Sequence, residues 1–273
     1  MEEVYRALLD TTRSGEPVAL VTLVETKGST PREAGAKMLA YSDGSTVGSI
    51  GGGAMEARAI SDALAFLSEG ESRLVDYSLM GRDGDLGLCG GEVKVFIEIV
   101  MPKPTLLIAG AGHISQSLAK LGTLLGFRVV VGDDRRDYAT RERFPTVGRV
   151  EVVELEELVR DIDITEHCYV VIATRGHEHD EVVLRQVVST PAAYIGLVGS
   201  RRKVAAIFEH LLGEGIPEES LVRVHAPIGL DIGAATLDEI ALSIMAEILM
   251  IRRGGTGRPL SEQGNPLRAS YLE

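Results

Sequence analysis

Two glycines and two acids have the spacing of a dinucleotide-binding turn. Gly110 and Gly112 follow the apolar run 105–109, and Asp133 and Asp134 end a second apolar run at 129–131. This order predicts a strand, a glycine turn, a helix and a second strand, which is the βαβ unit of a Rossmann-like fold. Backbone N–H groups of the turn would hold a pyrophosphate at the helix N-terminus, and either acid would accept hydrogen bonds from a ribose. Ser115 replaces the third glycine of the motif and is still small.

This pattern does not identify the ligand that binds at the turn. A doubly wound domain that binds no nucleotide can carry the same strands and helices, because a fold does not fix a function. Asp133 and Asp134 favour an unphosphorylated ribose, whereas Arg135 and Arg136 are compatible with a 2′-phosphate. NAD(P) or another nucleotide is therefore one expected cofactor.

Two further polar loops follow predicted strands. Ligands of doubly wound sheets bind at the carboxyl ends of the strands. We expect His177 and Asp180 to hold a ligand or transfer a proton, and His113 to contact the ligand at the glycine turn. The alternative for the histidines is exposure to solvent, and the spacing of His177 and His179 does not close a metal site by itself. The second loop has residues suited to binding an anion, with a solvated basic face as the alternative: Gly199, Ser200, Arg201, Arg202 and Lys203.

The N-terminal half has its own candidate residues. Gly51, Gly52 and Gly53 precede a predicted helix and would form an anion site, or else a flexible turn. Cations occur in the loop-like segment 25–37, namely Lys27, Arg32 and Lys37. Cys89 lies among glycines in 81–91, so its thiol is expected to be reachable and able to bind a soft metal or exchange sulfur. The alternative is a small apolar residue in a turn, and Cys168 is interpreted as a core residue of a buried strand.

Composition and the positions of the prolines indicate the domain organisation. Pro102-Lys103-Pro104 predicts a linker between an α+β domain over 1–101 and an α/β domain, Rossmann-like with a doubly wound parallel sheet, over 105–251. Residues 252–273 are expected to form a loosely held tail. The predicted strands are 18–24, 38–41, 46–50, 73–77, 93–100, 105–109, 129–131, 150–155, 169–173 and 194–198. The first predicted helix begins near Val4. Further helices are predicted over 54–67, 156–160, 181–188 and 237–251, and another is predicted to end at 212.

Charge and cysteine content exclude several classes of protein. The 273 residues carry a net charge of −12, which argues against a nucleic-acid binder. The start of the chain is acidic, no apolar run is long enough to cross a bilayer, and two cysteines cannot make a disulfide framework. A cytoplasmic protein without a membrane or nucleic-acid partner is expected. A homodimer is also expected, because symmetric dimers are the commonest oligomers.

Motifs along nearly the whole chain resemble the xanthine dehydrogenase accessory factors, the XdhC/CoxI family. The resemblance rests on Gly28-Ser29-Thr30-Pro31-Arg32, Gly35-Ala36-Lys37-Met38, Gly48-Ser49-Ile50-Gly51-Gly52-Gly53 with Glu56, Cys89-Gly90-Gly91, Ala109-Gly110-Ala111-Gly112-His113, Asp133-Asp134-Arg135, Thr174-Arg175-Gly176-His177 with Asp180, Gly196-Leu197-Val198-Gly199-Ser200-Arg201-Arg202-Lys203 and Ala226-Pro227-Ile228-Gly229-Leu230-Asp231-Ile232-Gly233-Ala234. So many motifs in one order are more specific than any single one.

The resemblance implies a chaperone that binds the molybdenum cofactor, supports its sulfuration and delivers it to a molybdenum hydroxylase apoenzyme. A cysteine desulfurase would be the second partner. Many relatives have a cysteine after the triple glycine, but this chain has Ala54, so Cys89 is the one thiolate expected at the metal. Under this hypothesis both domains close on the cofactor, with the cations at 27, 32 and 37 on one wall and those at 201–203 on the other.

Two other functions use the same residues. An NAD(P)-dependent oxidoreductase would take His177 as its acid or base, but the sequence has no Tyr and Lys or Ser at a recognisable catalytic spacing. A non-catalytic nucleotide-binding regulator would tolerate loss of Cys89. We therefore expect a cofactor-maturation chaperone in preference to an oxidoreductase with turnover of its own.

Overall fold

The computed structural model describes residues 1–14, 16–78 and 91–264. The chain divides into two compact units, Met1–Lys103 and Pro104–Glu273. This division falls within the proline-rich segment 102–104. Each unit has its own sheet and its own apolar clusters.

The first unit is an antiparallel sheet with a helix on each face. Its elements in chain order are α1 (Glu2–Ser14), β1 (Val18–Lys27), β2 (Lys37–Tyr41), β3 (Thr46–Gly48), α2 (Gly53–Glu69), β4 (Arg73–Ser78) and β5 (Glu92–Val100). The strand order is β3-β2-β1-β5-β4. Side chains alternate along β1, so that Val21 and Leu23 join the cluster around α2 while Val18 and Leu20 join the cluster around α1. The predicted α+β fold of this part is confirmed.

The second unit is built on a parallel sheet. Its elements are β6 (Thr105–Ala109), α3 (His113–Leu124), β7 (Arg128–Asp133), β8 (Arg149–Val152), β9 (Cys168–Ile172), α4 (His177–Val187), β10 (Tyr194–Leu197), α5 (Arg201–Gly213), α6 (Glu218–Val222), β11 (Val224–His225), α7 (Leu237–Arg253) and α8 (Ser261–Gly264). The strand order is β11-β10-β9-β6-β7-β8. The chain therefore leaves β6 towards β8 and returns to β9 on its other side. This reversal marks the crevice at which doubly wound sheets bind ligands.

Helices cover both faces of this sheet. Leu106 and Ile108 of β6 pack in one cluster with residues of α3 and α7. Leu107 and Ala109 pack on the opposite face with residues of α4 and α5. Every residue of β6 and β9 is buried, as expected for strands covered on both faces. The predicted α/β, doubly wound Rossmann-like fold is confirmed.

Some predicted elements have different bounds. The helix predicted at 181–188 begins at His177, so both histidines and Asp180 belong to its first turns and not to a loop. The helix predicted near 156–160 is one 3₁₀ turn at Leu155–Glu157. The short elements α6 and β11 carry too little periodicity to be recognised. Part of the predicted tail is the short helix α8. Among the residues described, no helix is both long and apolar enough to traverse a bilayer.

Candidate ligand-binding site

The glycine turn after β6 is held in a conformation that requires Gly110. Residue 110 has a φ of +105°, and a Cβ there would lie 2.3 Å from the carbonyl oxygen of Ala173, the residue after β9. The backbone therefore comes as close to the neighbouring strand end as a glycine allows. Gly112 is the N-cap of α3 and gives that helix no side-chain cap. Among the described residues, no side-chain hydrogen bond caps the first N–H groups of α3, so these groups can serve a phosphate.

Asp133 supports this turn from the end of β7. Its Oδ2 accepts the Ala111 N–H at 2.6 Å and Arg135 Nη2 at 2.7 Å. Its Oδ1 accepts the backbone N–H and Nε of Arg135, at 2.9 and 2.8 Å. Burial opposes ionisation of this carboxyl, but these hydrogen bonds outweigh burial and lower its pKa to about 2. The carboxylate expected to bind a ribose is thus buried and engaged by the protein.

Asp134 is paired across the turn. Arg175 Nη2 lies 2.8 Å from Asp134 Oδ2, and Arg175 Nη1 donates to Oδ1 at 3.2 Å. Arg175 follows β9 and Asp134 follows β7, and these strands flank β6. The ion pair therefore joins the two strand ends on either side of the glycine turn. Arg175 also lies 2.7 Å from Nε2 of His179, and its side chain is 41% exposed, which leaves it accessible to an anion.

Asp180 is placed in the interior and not at the site surface. Its side chain is fully buried. Its Oδ1 accepts the Thr174 hydroxyl at 2.6 Å and the Thr174 N–H at 3.1 Å, while Oδ2 forms an ion pair with Lys203 Nζ. Asp180 thereby connects the loop after β9 to the first turn of α5. The proton-transfer role expected for Asp180 would require this buried pair to open, and the observed contacts of Asp180 hold the loop after β9 in place.

The other predicted residues lie at the starts of the helices that follow β6, β9 and β10. His113 and His177 are the exposed first residues of α3 and α4. Ser200 caps α5 by accepting the Lys203 N–H at 3.3 Å, so it serves the helix. Gly199 packs beside the Lys203 side chain. Arg201 and Arg202 are exposed, and no hydrogen bond or ion pair is found for either in the described ranges. Because the strands are parallel, all these helix starts lie at the same edge of the sheet.

In the first unit, an internal carboxylate occupies the triple-glycine turn. Glu56 Oε2 accepts the N–H groups of Ile50, Gly51 and Gly52 at 2.9, 3.2 and 3.0 Å. It also accepts the Ser49 hydroxyl at 2.6 Å. Burial raises the pKa of Glu56, but these donors outweigh it and the net pKa is lowered. An external anion would have to displace Glu56 from Gly51 and Gly52. Gly53 begins α2 beyond this contact.

Two close approaches join segments of three motifs in this unit. A Cβ on Gly51 would lie 2.7 Å from Cγ of Pro31. A Cβ on Gly91 would lie 2.5 Å from the carbonyl oxygen of Ser29. Two of the cations predicted for this unit differ in exposure. Arg32 is exposed, whereas Lys37 is partly buried and its Nζ donates to Thr22 Oγ1 at 3.1 Å.

The two cysteines differ in what the structure describes of them. Cys89 falls within 79–90, outside the described residues. Cys168 is buried at the start of β9, as predicted. Sequence reasoning also gave no structural role to Glu56 or Arg175. Two signals were available in the sequence. For Glu56 the signal is a carboxylate four residues after Gly52. For Arg175 it is a cation in a loop otherwise made of small and polar residues.

A buried acid in α7 was also missed. Glu247 accepts the Tyr194 hydroxyl in a short hydrogen bond and the Gly229 N–H at 2.9 Å, and it lies 3.6 Å from Nδ1 of His225. Burial raises its pKa, but the nearby His225 imidazole and the hydrogen bonds from Tyr194 and Gly229 outweigh burial and lower it. This network fastens the glycine-containing segment 226–234 to α7. The signal was one acid on an otherwise apolar helix face.

Comparison with known proteins defines the class of this chain. A family model described as the XdhC Rossmann domain matches residues 106–248, and a model of the XdhC and CoxI family matches residues 11–78. The chain therefore belongs to the XdhC and CoxI family, as its motifs indicated.

Three curated relatives are similar over much of the chain. The uncharacterized protein YqeB of Escherichia coli is 37% identical over 92% of this chain and 46% of its own length. A protein of Bacillus subtilis named as a probable xanthine dehydrogenase component is 33% identical over 59% of this chain and 46% of its own length. The molybdenum cofactor insertion chaperone PaoD of Escherichia coli is 25% identical over 91% of this chain and 88% of its own length. The chain thus spans about half the length of the first two.

A solved structure shares the fold. A crystal structure described as a xanthine dehydrogenase from Bacillus halodurans superposes with a TM-score of 0.52 at 22% identity, covering 92% of this chain and 96% of that one. At this identity the likeness concerns the fold alone.

Proposed function

We propose that this protein is an accessory factor that binds the molybdenum cofactor, supports its sulfuration and delivers it to a xanthine dehydrogenase-type molybdenum hydroxylase. Membership of the XdhC and CoxI family supports the class of function. The name of PaoD supports cofactor insertion, and that of the Bacillus subtilis relative supports the type of target enzyme.

The observation that carries the proposal is the uncapped start of α3. Gly112 leaves the first N–H groups of that helix without a side-chain acceptor. Gly110 allows the turn between β6 and α3 to pass close to the backbone of Ala173. The cofactor is a pterin that carries a phosphate and a metal ligated through sulfur and oxygen. Its phosphate suits the positive end of the helix and the accessible guanidinium of Arg175.

In this proposal Cys89 supplies the sulfur chemistry. A thiolate is the form of cysteine that binds soft metals and exchanges sulfur. Ala54 stands where many relatives have a cysteine, so Cys89 is proposed to act without that partner. In the second unit, the exposed residues proposed to contact the ligand are His113, His177, Arg201 and Arg202. In the first unit, the exposed residue proposed for this role is Arg32.

The experiment is native mass spectrometry of protein expressed in a host that makes molybdopterin. We expect a bound mass equal to the cofactor, retained through a sizing column, and the same spectrum gives the oligomeric state. Cys89→Ala should lower the fraction retained. Cys168→Ala, which removes a buried sulfur, should not. Absence of the cofactor from wild-type protein would contradict the proposal, and equal retention by both variants would remove Cys89 from it.

The proposed partners are a molybdenum hydroxylase apoenzyme and a cysteine desulfurase, with the chaperone acting as a homodimer. Mixing loaded protein with apoenzyme should transfer the cofactor and restore hydroxylase activity. Omission of the desulfurase should leave the transferred cofactor inactive if sulfuration occurs on this protein. Full activity without a desulfurase or any other sulfur donor would contradict the sulfuration step.

A further inference from the structure

The carboxylate at the end of β7 has no acceptor position left for a ligand. Asp133 is 2% exposed and receives four hydrogen bonds, one from Ala111 and three from Arg135. A carboxylate offers about four lone-pair positions. The Asp133 carboxylate is therefore saturated by protein donors while the glycine turn is intact.

Arg135 is itself held in place. Its guanidinium is paired with Asp133 and stacks on the Tyr138 ring, with Cζ 3.8 Å from the ring centroid. Charge-assisted, forked hydrogen bonds are stronger than those a neutral hydroxyl can make. A ribose diol would have to replace this arginine with two neutral donors, which is unfavourable. The neighbouring acid, Asp134, is already paired with Arg175.

We propose that Arg135 is a specificity-determining residue that closes the ribose position, so that the glycine turn accepts a phosphate ester without an adenosine ribose and rejects NAD and NADP. The inference rests on the proposed function for the identity of the accepted ligand, whose phosphate belongs to a pterin side chain. A 2′-phosphate is rejected too, because the guanidinium that would bind it is committed to Asp133 and that carboxylate repels a phosphate.

The test compares wild-type protein with Arg135→Ala by calorimetric titration with ADP-ribose and with NADPH. Wild-type protein should bind both only in the millimolar range. Arg135→Ala removes the two side-chain donors and keeps the backbone N–H of residue 135, so it uncovers two acceptor positions on Asp133. The variant should bind ADP-ribose about tenfold more tightly, the gain expected from one added charge-assisted hydrogen bond. Lys120→Ala is the matched control, because it removes the same charge from an exposed position of α3. This control should bind as wild-type protein does.

Three results would overturn the inference. One is micromolar binding of ADP-ribose by wild-type protein. The second is micromolar binding of NADPH, which would make Arg135 a ligand of the 2′-phosphate. The third is a folded Arg135→Ala protein that gains no affinity, with Arg135→Gln used if the alanine variant does not fold. None of these titrations contains molybdenum cofactor, so their failure is separate from a failure of cofactor retention, which tests the proposed function.

Discussion

Gly110 lies against Ala173 so closely that a Cβ on residue 110 would come within 2.3 Å of the Ala173 carbonyl oxygen. The two residues follow β6 and β9, the strands between which the chain reverses its direction across the sheet. Their contact brings the backbone of the turn close to the neighbouring strand end. The geometry of the candidate phosphate site therefore depends on a glycine at one position.

Gly110→Ala should lower the free energy of unfolding by about 3 kcal/mol, because the new Cβ meets a backbone oxygen and the φ of +105° is strained for alanine. Urea denaturation measures the change. Gly112→Ala is the control within the same turn, since Gly112 has a φ of −68° and a Cβ there would have no atom within 4 Å. Equal destabilisation by the two variants would contradict the close-approach argument.

Asp133→Asn should destabilise the protein by about 2 kcal/mol at pH 7, because the carboxyl pKa falls from 3.8 to about 2 on folding. A lowered pKa stabilises the fold at pH values above 3.8, and that contribution disappears as the pH falls through about 2. The difference between wild-type and variant protein should therefore shrink between pH 4 and pH 2. Urea unfolding at pH 7, 4, 3 and 2 measures it. A difference that stays constant over this range would show that ionisation of Asp133 is not the cause.

The strand and helix pattern of both units was accessible from sequence because it depends on local periodicity. Runs such as 105–109 are apolar throughout, and a strand buried on both faces has to be so. The site was harder to predict because carboxylate partners are set by tertiary packing. Asp133 has the spacing of a ribose ligand, yet nothing in that spacing shows that Arg135 returns to cover it. Glu56 likewise looked like an ordinary helix residue, although it fills the turn that precedes it.

Glu56→Gln should destabilise the first unit by about 1–2 kcal/mol at pH 7, because a neutral amide is a weaker acceptor for the three backbone N–H groups around Gly51. Thermal unfolding followed by circular dichroism measures the change. Glu98→Gln, at an exposed position of β5, is the control and should have an effect within about 0.5 kcal/mol. Indistinguishable unfolding of the two variants would mean that the Glu56 contacts add nothing to stability.

Arg175→Ala should reduce cofactor retention while changing stability by less than about 1 kcal/mol, because its pair with Asp134 is partly exposed. Retention should fall because the variant lacks the accessible guanidinium beside the glycine turn, which is one hydrogen-bond donor to the phosphate. Retention on a sizing column and urea unfolding are measured on the same preparations. Arg160→Ala removes another exposed arginine, which pairs with Glu157, and serves as the control. Undiminished retention by Arg175→Ala would exclude this arginine from the phosphate site.

Lys203→Met should be the most destabilising of these changes, by about 3–5 kcal/mol, because it leaves the fully buried Asp180 carboxylate without a counter-charge. The double variant Asp180→Asn with Lys203→Met should recover part of the loss, since the amide can still accept the Thr174 hydroxyl. Arg202→Met is the control, because Arg202 is exposed and next in sequence. If the double variant were no more stable than Lys203→Met alone, the uncompensated charge could not be the reason for the loss. The loop between Ala173 and α4 would then depend on Lys203 through its aliphatic packing beside Gly199.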